Sequence, residues 1–260
     1  MRESGVDLAI RAAGGVSALA RLIGVAQPSV SNWQRVPAER VIAIETATGV
    51  SRSLLRPDLY PSDMTEPVQE VDEVDRLRAQ EYGLLALLLG RAPTAELLER
   101  LAALRGDATP LGLAHIALAE AAEAADADGL QREYFDLFIG LGRGEFLPYA
   151  SYYLTGFLHE RPLARVREDL ARLGLERGDG SRDPEDHVAF LCEVMGGLAE
   201  RRFGDGDADE RRFFERHLKP WAARFFADLE VSQRASFYKA VGRVGRLFIE
   251  IETEAFAIDA

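Results

Sequence analysis

Apolar residues recur along most of this chain three and four positions apart, the spacing of a helix face rather than a strand. After residue 70 the pattern predicts successive helices over 71–89, marked by Leu77, Leu84, Leu85 and Leu88, then over 94–104, 111–125, 128–140, 148–159 and 162–173. Three longer helices are expected at 184–203, 207–228 and 233–256. Gly106, Gly142, Gly144, Gly178, Gly180, Gly204 and Gly206 fall between these periods, where glycine acts as a stop signal. Val and Ile, which favour strands, are sparse in this part. Pro57, Pro61 and Pro67 resist helix continuation, and Ser62, Asp63 and Thr65 add turn chemistry among them. The expected fold is therefore all-α. A small domain over 1–60 and a linker over 61–71 precede a larger helical bundle over 72–260.

Composition supports this picture. Apolar residues make up 47% of the 260, enough for a core, and Ala, Leu, Glu and Arg, all good helix formers, dominate. The net charge of −12 is unevenly spread. Residues 1–60 hold seven Arg and five acidic residues, a net +2, which leaves −14 for residues 61–260. The acidic part should repel nucleic acid and attract basic partners, whereas the first part permits phosphate contact. A single cysteine, Cys192, leaves no intramolecular disulfide and no cysteine cluster for zinc or iron–sulfur. Acidic Glu3 and Asp7 and the lack of an apolar h-region give no sign of a secretory leader, and the longest fully apolar run, 84–89, is far short of a membrane span. A cytoplasmic chain without a membrane segment is expected.

Residues 16–33 read VSALARLIGVAQPSVSNW. Small Ala20 lies four residues before Gly24, and apolar Val30 and Trp33 come after, the order in which a helix-turn-helix is built. A small residue admits the second helix, glycine makes the turn, and apolar residues seat the recognition helix. Pro28 suits the start of that helix. Val30 and Trp33 should then face inward, leaving Gln27, Ser29 and Asn32 outward and able to reach base edges. Arg21, Arg35 and Arg40 could meet phosphates. The stretch resembles the YdaS-like members of the Cro/CI superfamily, and the resemblance continues through residues 36–61 to the Leu-Arg-Pro-Asp at 55–58. It implies DNA binding, often as a homodimer. The competing reading is a retained folding module used for protein contact, since a charge of +2 offers little phosphate neutralisation.

Three stretches mark the larger part. In 133–138, EYFDLF, residues Tyr134, Leu137, Phe138 and Leu141 fall on one helix face, which by periodicity alone is core. In 183–187, DPEDH, Pro184 would open a helix with Asp183 as its cap, and Glu185 and Asp186 would sit at the positive end of its dipole. Val188, Leu191, Cys192, Met195 and Leu198 would form the buried stripe of that helix. In 217–221, HLKPW, Leu218 and Trp221 join Phe214 and Phe225 on a further apolar stripe. Together these segments resemble the TorD/DmsD family of molybdoenzyme-maturation chaperones, whose marks are E-Y-x-x-L-F and E-P-x-D-H. Asp183 in place of Glu is the one departure. Residues 142–156, GRGEFLPYASYYLTG, resemble the family's connecting segment, and the likeness spans about 72–256.

That resemblance implies an all-helical, cofactor-free chaperone. It would bind the twin-arginine leader or the core of a molybdoenzyme catalytic subunit, a formate dehydrogenase being one candidate client, and delay export until the cofactor is inserted. The binding residues it implies are Pro184, Asp186 and His187, more loosely Tyr149, Ser151 and Tyr152, with Glu133, Tyr134, Leu137 and Phe138 as motif and core. Asp183, Glu185 and Asp186 would supply carboxylates for the client's arginines. No catalytic residue is expected: Asp186 and His187 lack a partnering nucleophile motif. His115, His159, His187 and His217 lack metal-ligand spacing, and no strand precedes the Gly140, Gly142 and Gly144 run. The alternative is a transcription regulator whose chaperone-like domain senses a client peptide.

Overall fold

The computed structural model describes residues 4–60, 71–176 and 183–258. The expected linker, apart from Val71, and the expected stops at Gly178 and Gly180 lie outside the described residues. The chain divides into two compact units, Met1–Glu70 and Val71–Ala260. Among the described residues the regular structure is helical, with one isolated antiparallel bridge, Tyr149 to His187. None of those helices is long and apolar enough to cross a membrane.

Among its described residues the first unit holds five short α-helices: α1 (Gly5–Ala13), α2 (Val16–Leu22), α3 (Gln27–Ser31), α4 (Val41–Thr48) and α5 (Arg52–Leu55). Ser4 and Asp7 form a reciprocal capping box on α1, satisfying donors that the first turn leaves open. Gly24 takes a left-handed φ of 68°, which turns the chain from α2 into α3. Val6, Ala9, Leu19, Ala20, Val30, Val36, Val41, Ile44 and Leu55 form the core, with Trp33 partly buried against it.

The second unit is built on α6 (Glu73–Gly90), α7 (Ala95–Ala102), α8 (Pro110–Ala124), α9 (Ala127–Tyr134), α10 (Ala150–Thr155), α11 (Arg161–Arg172), α12 (Val188–Ala199), α13 (Asp207–His217), α14 (Ala222–Val231) and α15 (Phe237–Ile258). Its core runs from Tyr82 and Leu85 on α6, through Leu191, Cys192 and Met195 on α12, to Phe225, Phe226, Tyr238 and Phe248. Helices α6 and α12 run antiparallel: Gly90 lies against Ala189, and Gly196 against Ala79. On α15, a Cβ at Gly245 would stand 2.2 Å from the Phe226 ring, so only glycine lets α14 approach this closely.

Four expectations need correction. The helix expected at 207–228 is two helices, α13 and α14, parted at residues 218–221, because Pro220 has no N–H to give and restricts the residue before it. The stripe itself holds: Phe214, Leu218, Trp221 and Phe225 are all buried. Helix α10 ends at Thr155 rather than near 159, since Gly156 turns left-handed with φ 84°. After Tyr134 the helix expected to 140 widens into a π-turn, Phe135–Ile139, that ends on Gly140. Gly140, with a left-handed φ of 61°, ends the helix there. Leu141 therefore leaves the face shared by Tyr134, Leu137 and Phe138 and is 97% exposed. Finally, Pro184 does not open a helix: α12 starts at Val188 with His187 as its N-cap.

Candidate functional site

Two segments distant in sequence meet at the start of α12. Residues 148–151 and 183–188 run side by side as a short pairing. The Ala150 N–H donates to the Asp186 carbonyl at 2.9 Å, and the Val188 N–H to the Pro148 carbonyl at 2.8 Å. The Asp186 side chain completes the junction, its Oδ2 accepting from the Ser151 N–H at 2.8 Å. Helix α10 has no side-chain cap from its own N-terminal residue, Tyr149. Asp186, 35 positions away from Ser151 in sequence, caps it instead.

Tyr149 lies across this junction. Its ring stands edge-on to His187 with centroids 4.9 Å apart, and its hydroxyl donates to Asp183 Oδ1 at 2.9 Å. Burial, then the Asp183 carboxylate, raise the Tyr149 hydroxyl well above the ordinary phenol range, so it remains a donor. His187 accepts the Ala189 N–H at Nδ1, 3.1 Å, which places its proton on Nε2. Burial pushes its pKa down to about 4 against the opposing pull of Asp183 and Asp186, so the ring is neutral at pH 7. Glu185 points toward α11, where Arg167 reaches it through Nη2 at 2.8 Å and Nε at 3.0 Å. Farther along α10, Arg143 lies over the Tyr152 ring and bonds its hydroxyl.

The structure thus brings Tyr149, Ser151, Asp183, Asp186 and His187 together, with Pro184 half-buried between them and Tyr152 on the next turn. It also reassigns roles within the set. Asp186 is fully buried and engaged with backbone, and Glu185 is buried against Arg167. Neither presents an open carboxylate to an incoming arginine. Of the three acids only Asp183 is exposed.

A residue given no separate part by its sequence pattern also proves structural. Glu133 accepts from the N–H groups of Ser236 at 2.8 Å, Tyr238 at 3.0 Å and Phe237 at 3.4 Å, and so caps α15 from a distance of over a hundred residues. Tyr134 donates to the Leu89 carbonyl and Tyr238 to the Leu88 carbonyl, fixing the C-terminal end of α6 against the same corner. Leu137 is fully buried, with Tyr134 and Phe138 partly so. Periodicity shows which residues are core. It carries no signal for Glu133, because a cap in trans depends on where a distant helix begins.

Two sequence-family models match the chain. The one described as nitrate reductase delta subunit covers residues 104–227, including both motif segments. The one described as bacterial toxin YdaS covers residues 6–64. Similar chains include the chaperone protein TorD of Vibrio vulnificus, 26% identical over 198 residues, covering 67% of this chain and 89% of that one. TorD of Shewanella loihica is 24% identical over 215 residues, covering 74% of this chain and 99% of that one. For TorD of Vibrio atlanticus the match is 26% over 138 residues, 49% of this chain and 64% of that protein. The second unit thus resembles the TorD chaperones. A crystallised candidate redox enzyme maturation protein from Archaeoglobus fulgidus also aligns, at 22% identity and a TM-score of 0.47, over 67% of this chain and 94% of that one. The junction at Tyr149 and His187 lies in the second unit, within the residues matched by the first of those models. No group of three or more metal-ligating side chains is found among its described residues.

In the first unit, Gln27, Ser29 and Asn32 are exposed while Val30 is 1% exposed. Helix α3 is short, and Asn32 is its C-terminal cap rather than a residue on its face. Arg21 is exposed, Arg40 is half-buried, and Arg35 pairs loosely with Asp58 at 3.3 Å.

Proposed function

We propose that the chain is a cytoplasmic chaperone that binds the leader or core of a molybdoenzyme catalytic subunit and holds it until its cofactor is in place, before twin-arginine export. The observation that carries this reading is the junction itself. The segments 148–151 and 183–188 are distant in sequence, and the fold locks them side by side with the Tyr149 hydroxyl on the exposed Asp183 carboxylate, one turn of α10 before Tyr152. A phenol and an exposed carboxylate suit a guanidinium, and the acidic charge of residues 61–260 would draw a cationic leader toward them. Asp186, His187 and Ser151 then hold the surface in shape rather than touch the client. The relatives' name, chaperone, agrees with a binding role. The test is calorimetric titration of the full chain with leader peptides of exported molybdoenzymes, formate dehydrogenases included, and with their Arg-to-Gln versions. Saturable binding that needs the arginines supports the reading, and no binding to any leader directs it to a folded client core.

A second reading adds DNA binding by the first unit and has its own observation: three exposed polar side chains, Gln27, Ser29 and Asn32, at a helix seated by buried Val30. A gel shift across a salt titration tests it. Sequence-dependent retardation that is lost on replacing Gln27 and Asn32 by Ala supports base reading. No shift at low salt leaves the unit as a protein-contact module, alone or in a homodimer.

A further inference from the structure

Among the described residues no large apolar side chain is more exposed than Leu141, and the π-turn just before it exposes two more, Ile139 at 54% and Phe135 at 38%. We propose that Phe135, Ile139 and Leu141 form the apolar half of the client surface and take the run of apolar residues that a leader peptide carries beside its arginines. The proposal rests on the leader-binding reading above. Three observations carry it.

The loop that carries Leu141 is closed at its base. The Gly140 N–H donates to the Phe135 carbonyl and the Phe146 N–H to the Leu137 carbonyl, both at 2.7 Å. Gly140 and Gly142, on either side of Leu141, take left-handed φ values of 61° and 91°. The backbone thus fixes Leu141 outward, and the apolar surface it leaves in water is free for a partner to bury. The loop is also tied to the junction. Arg143 lies over the Tyr152 ring, 5.0 Å from its centre, and bonds its hydroxyl. Tyr152 is one turn of α10 from Tyr149, whose hydroxyl rests on Asp183. Burial, then the Asp183 carboxylate, push the Tyr134 hydroxyl up to about 12, and Tyr134 is the residue before Phe135. The apolar side chains and the open carboxylate therefore share one end of the second unit. Charge selects the occupant. Asp136 and Asp183 beside the patch are exposed, as is Arg132, while Arg143 is engaged with Tyr152. A second copy would bring the same acidic field to the contact and be repelled. A peptide that holds arginines and leucines together suits the carboxylate and the apolar patch at once.

The test uses the full chain and three labelled peptides, read by fluorescence anisotropy: Arg-Arg followed by a run of leucines, Arg-Arg followed by serines, and Gln-Gln followed by leucines. The parent chain is expected to bind the first most tightly. Ile139→Ser combined with Leu141→Ser is expected to weaken that binding about tenfold, to the level of the serine peptide, whose own affinity stays unchanged. A tenfold loss is about 1.4 kcal/mol, in keeping with partial burial of two aliphatic side chains. Leu141→Ser alone, at a side chain 97% exposed, leaves the fold intact and is expected to lose several-fold. Unaltered binding of the leucine peptide, or an equal loss for the leucine and serine peptides, would overturn the proposal. The leader reading would still stand in that case as long as replacing the arginines abolishes binding. Failure of the parent chain to bind any of the three peptides would remove the leader reading and this proposal with it. Sedimentation of the same variants gives the remaining outcome: a dimer that the substitutions split, with peptide affinity unaltered, would assign the patch to a second copy instead.

Discussion

Replacing Asp186 by Ala separates a structural from a contacting role for the most buried acid of the motif. The carboxylate is 0% exposed and accepts the Ser151 N–H at 2.8 Å, so the substitution leaves a buried backbone donor at the start of α10 without its acceptor. An orphaned buried donor costs about 1–3 kcal/mol, a hydrogen bond to a charged acceptor contributes about 1.5–3 kcal/mol, and the two descriptions overlap. A loss of roughly 2–4 kcal/mol is expected. For a unit of this size each kcal/mol moves the midpoint by about 2–4 °C, giving a drop of roughly 5–15 °C. Asp186→Asn keeps an oxygen for Ser151. It also brings an N–H₂ into a place where Asp186 Oδ1 and Ser151 Oγ are both buried without partners. Its loss should be less than half that of the Ala variant. Thermal and urea unfolding, read by far-ultraviolet circular dichroism and fitted to the transition of the second unit, measures both. Unchanged unfolding of Asp186→Ala together with loss of leader binding would refute the reasoning and make Asp186 a contact residue.

The same geometry sets further expectations. His187 is neutral in the fold with a pKa of about 4, below the unfolded value of about 6.5. Its contribution is thus complete above pH ~6.5 and is lost as pH falls toward 4, because only the unfolded chain takes up the proton there. His187→Asn, which keeps a capping oxygen, should flatten the unfolding free energy between pH 6.5 and 4 by up to about 1.4 kcal/mol per pH unit. Equal slopes for both chains in parallel urea titrations would contradict this. Glu133→Ala should cost about 1–3 kcal/mol by uncapping α15, with Glu133→Gln recovering part of it, and hydrogen exchange should quicken first around residues 236–240. Arg78 pairs with Asp75 and with the buried Glu210 and Glu252, and lies over the Phe256 ring. Arg78→Met strands two buried carboxylates, so a loss of about 3–5 kcal/mol is expected. Near-wild-type denaturant midpoints would show that the fold does not depend on these ion pairs.

Much of this is legible in the sequence, and the misses share a cause. Local apolar spacing marks Leu191, Cys192, Met195 and Leu198 as core, and all four are buried. It likewise places Val30 inward and Gln27 and Ser29 outward. Pro220 is a break signal within the period at 207–228, but the unbroken apolar stripe through it outweighs that signal in a reading by periodicity. The π-turn that exposes Leu141 has no such mark, since nothing in EYFDLF distinguishes a five-residue loop from a four-residue one. At 183–187 the local rules for proline and acids favour a helix start. The chain instead spends Asp186 on α10 and Glu185 on α11, choices made by partners that sequence spacing does not reveal.

The cap that Asp186 provides has a consequence for the growing chain. Helix α10 spans six residues, too few to persist alone in water, and its start lacks a local cap. As the polypeptide leaves the ribosome, Tyr149 and Ser151 emerge well before the residue that orders them. The surface they form with Asp183 cannot exist until translation has passed residue 188 and the pairing has closed. A nascent or truncated copy that ends before residue 188 therefore lacks this surface altogether.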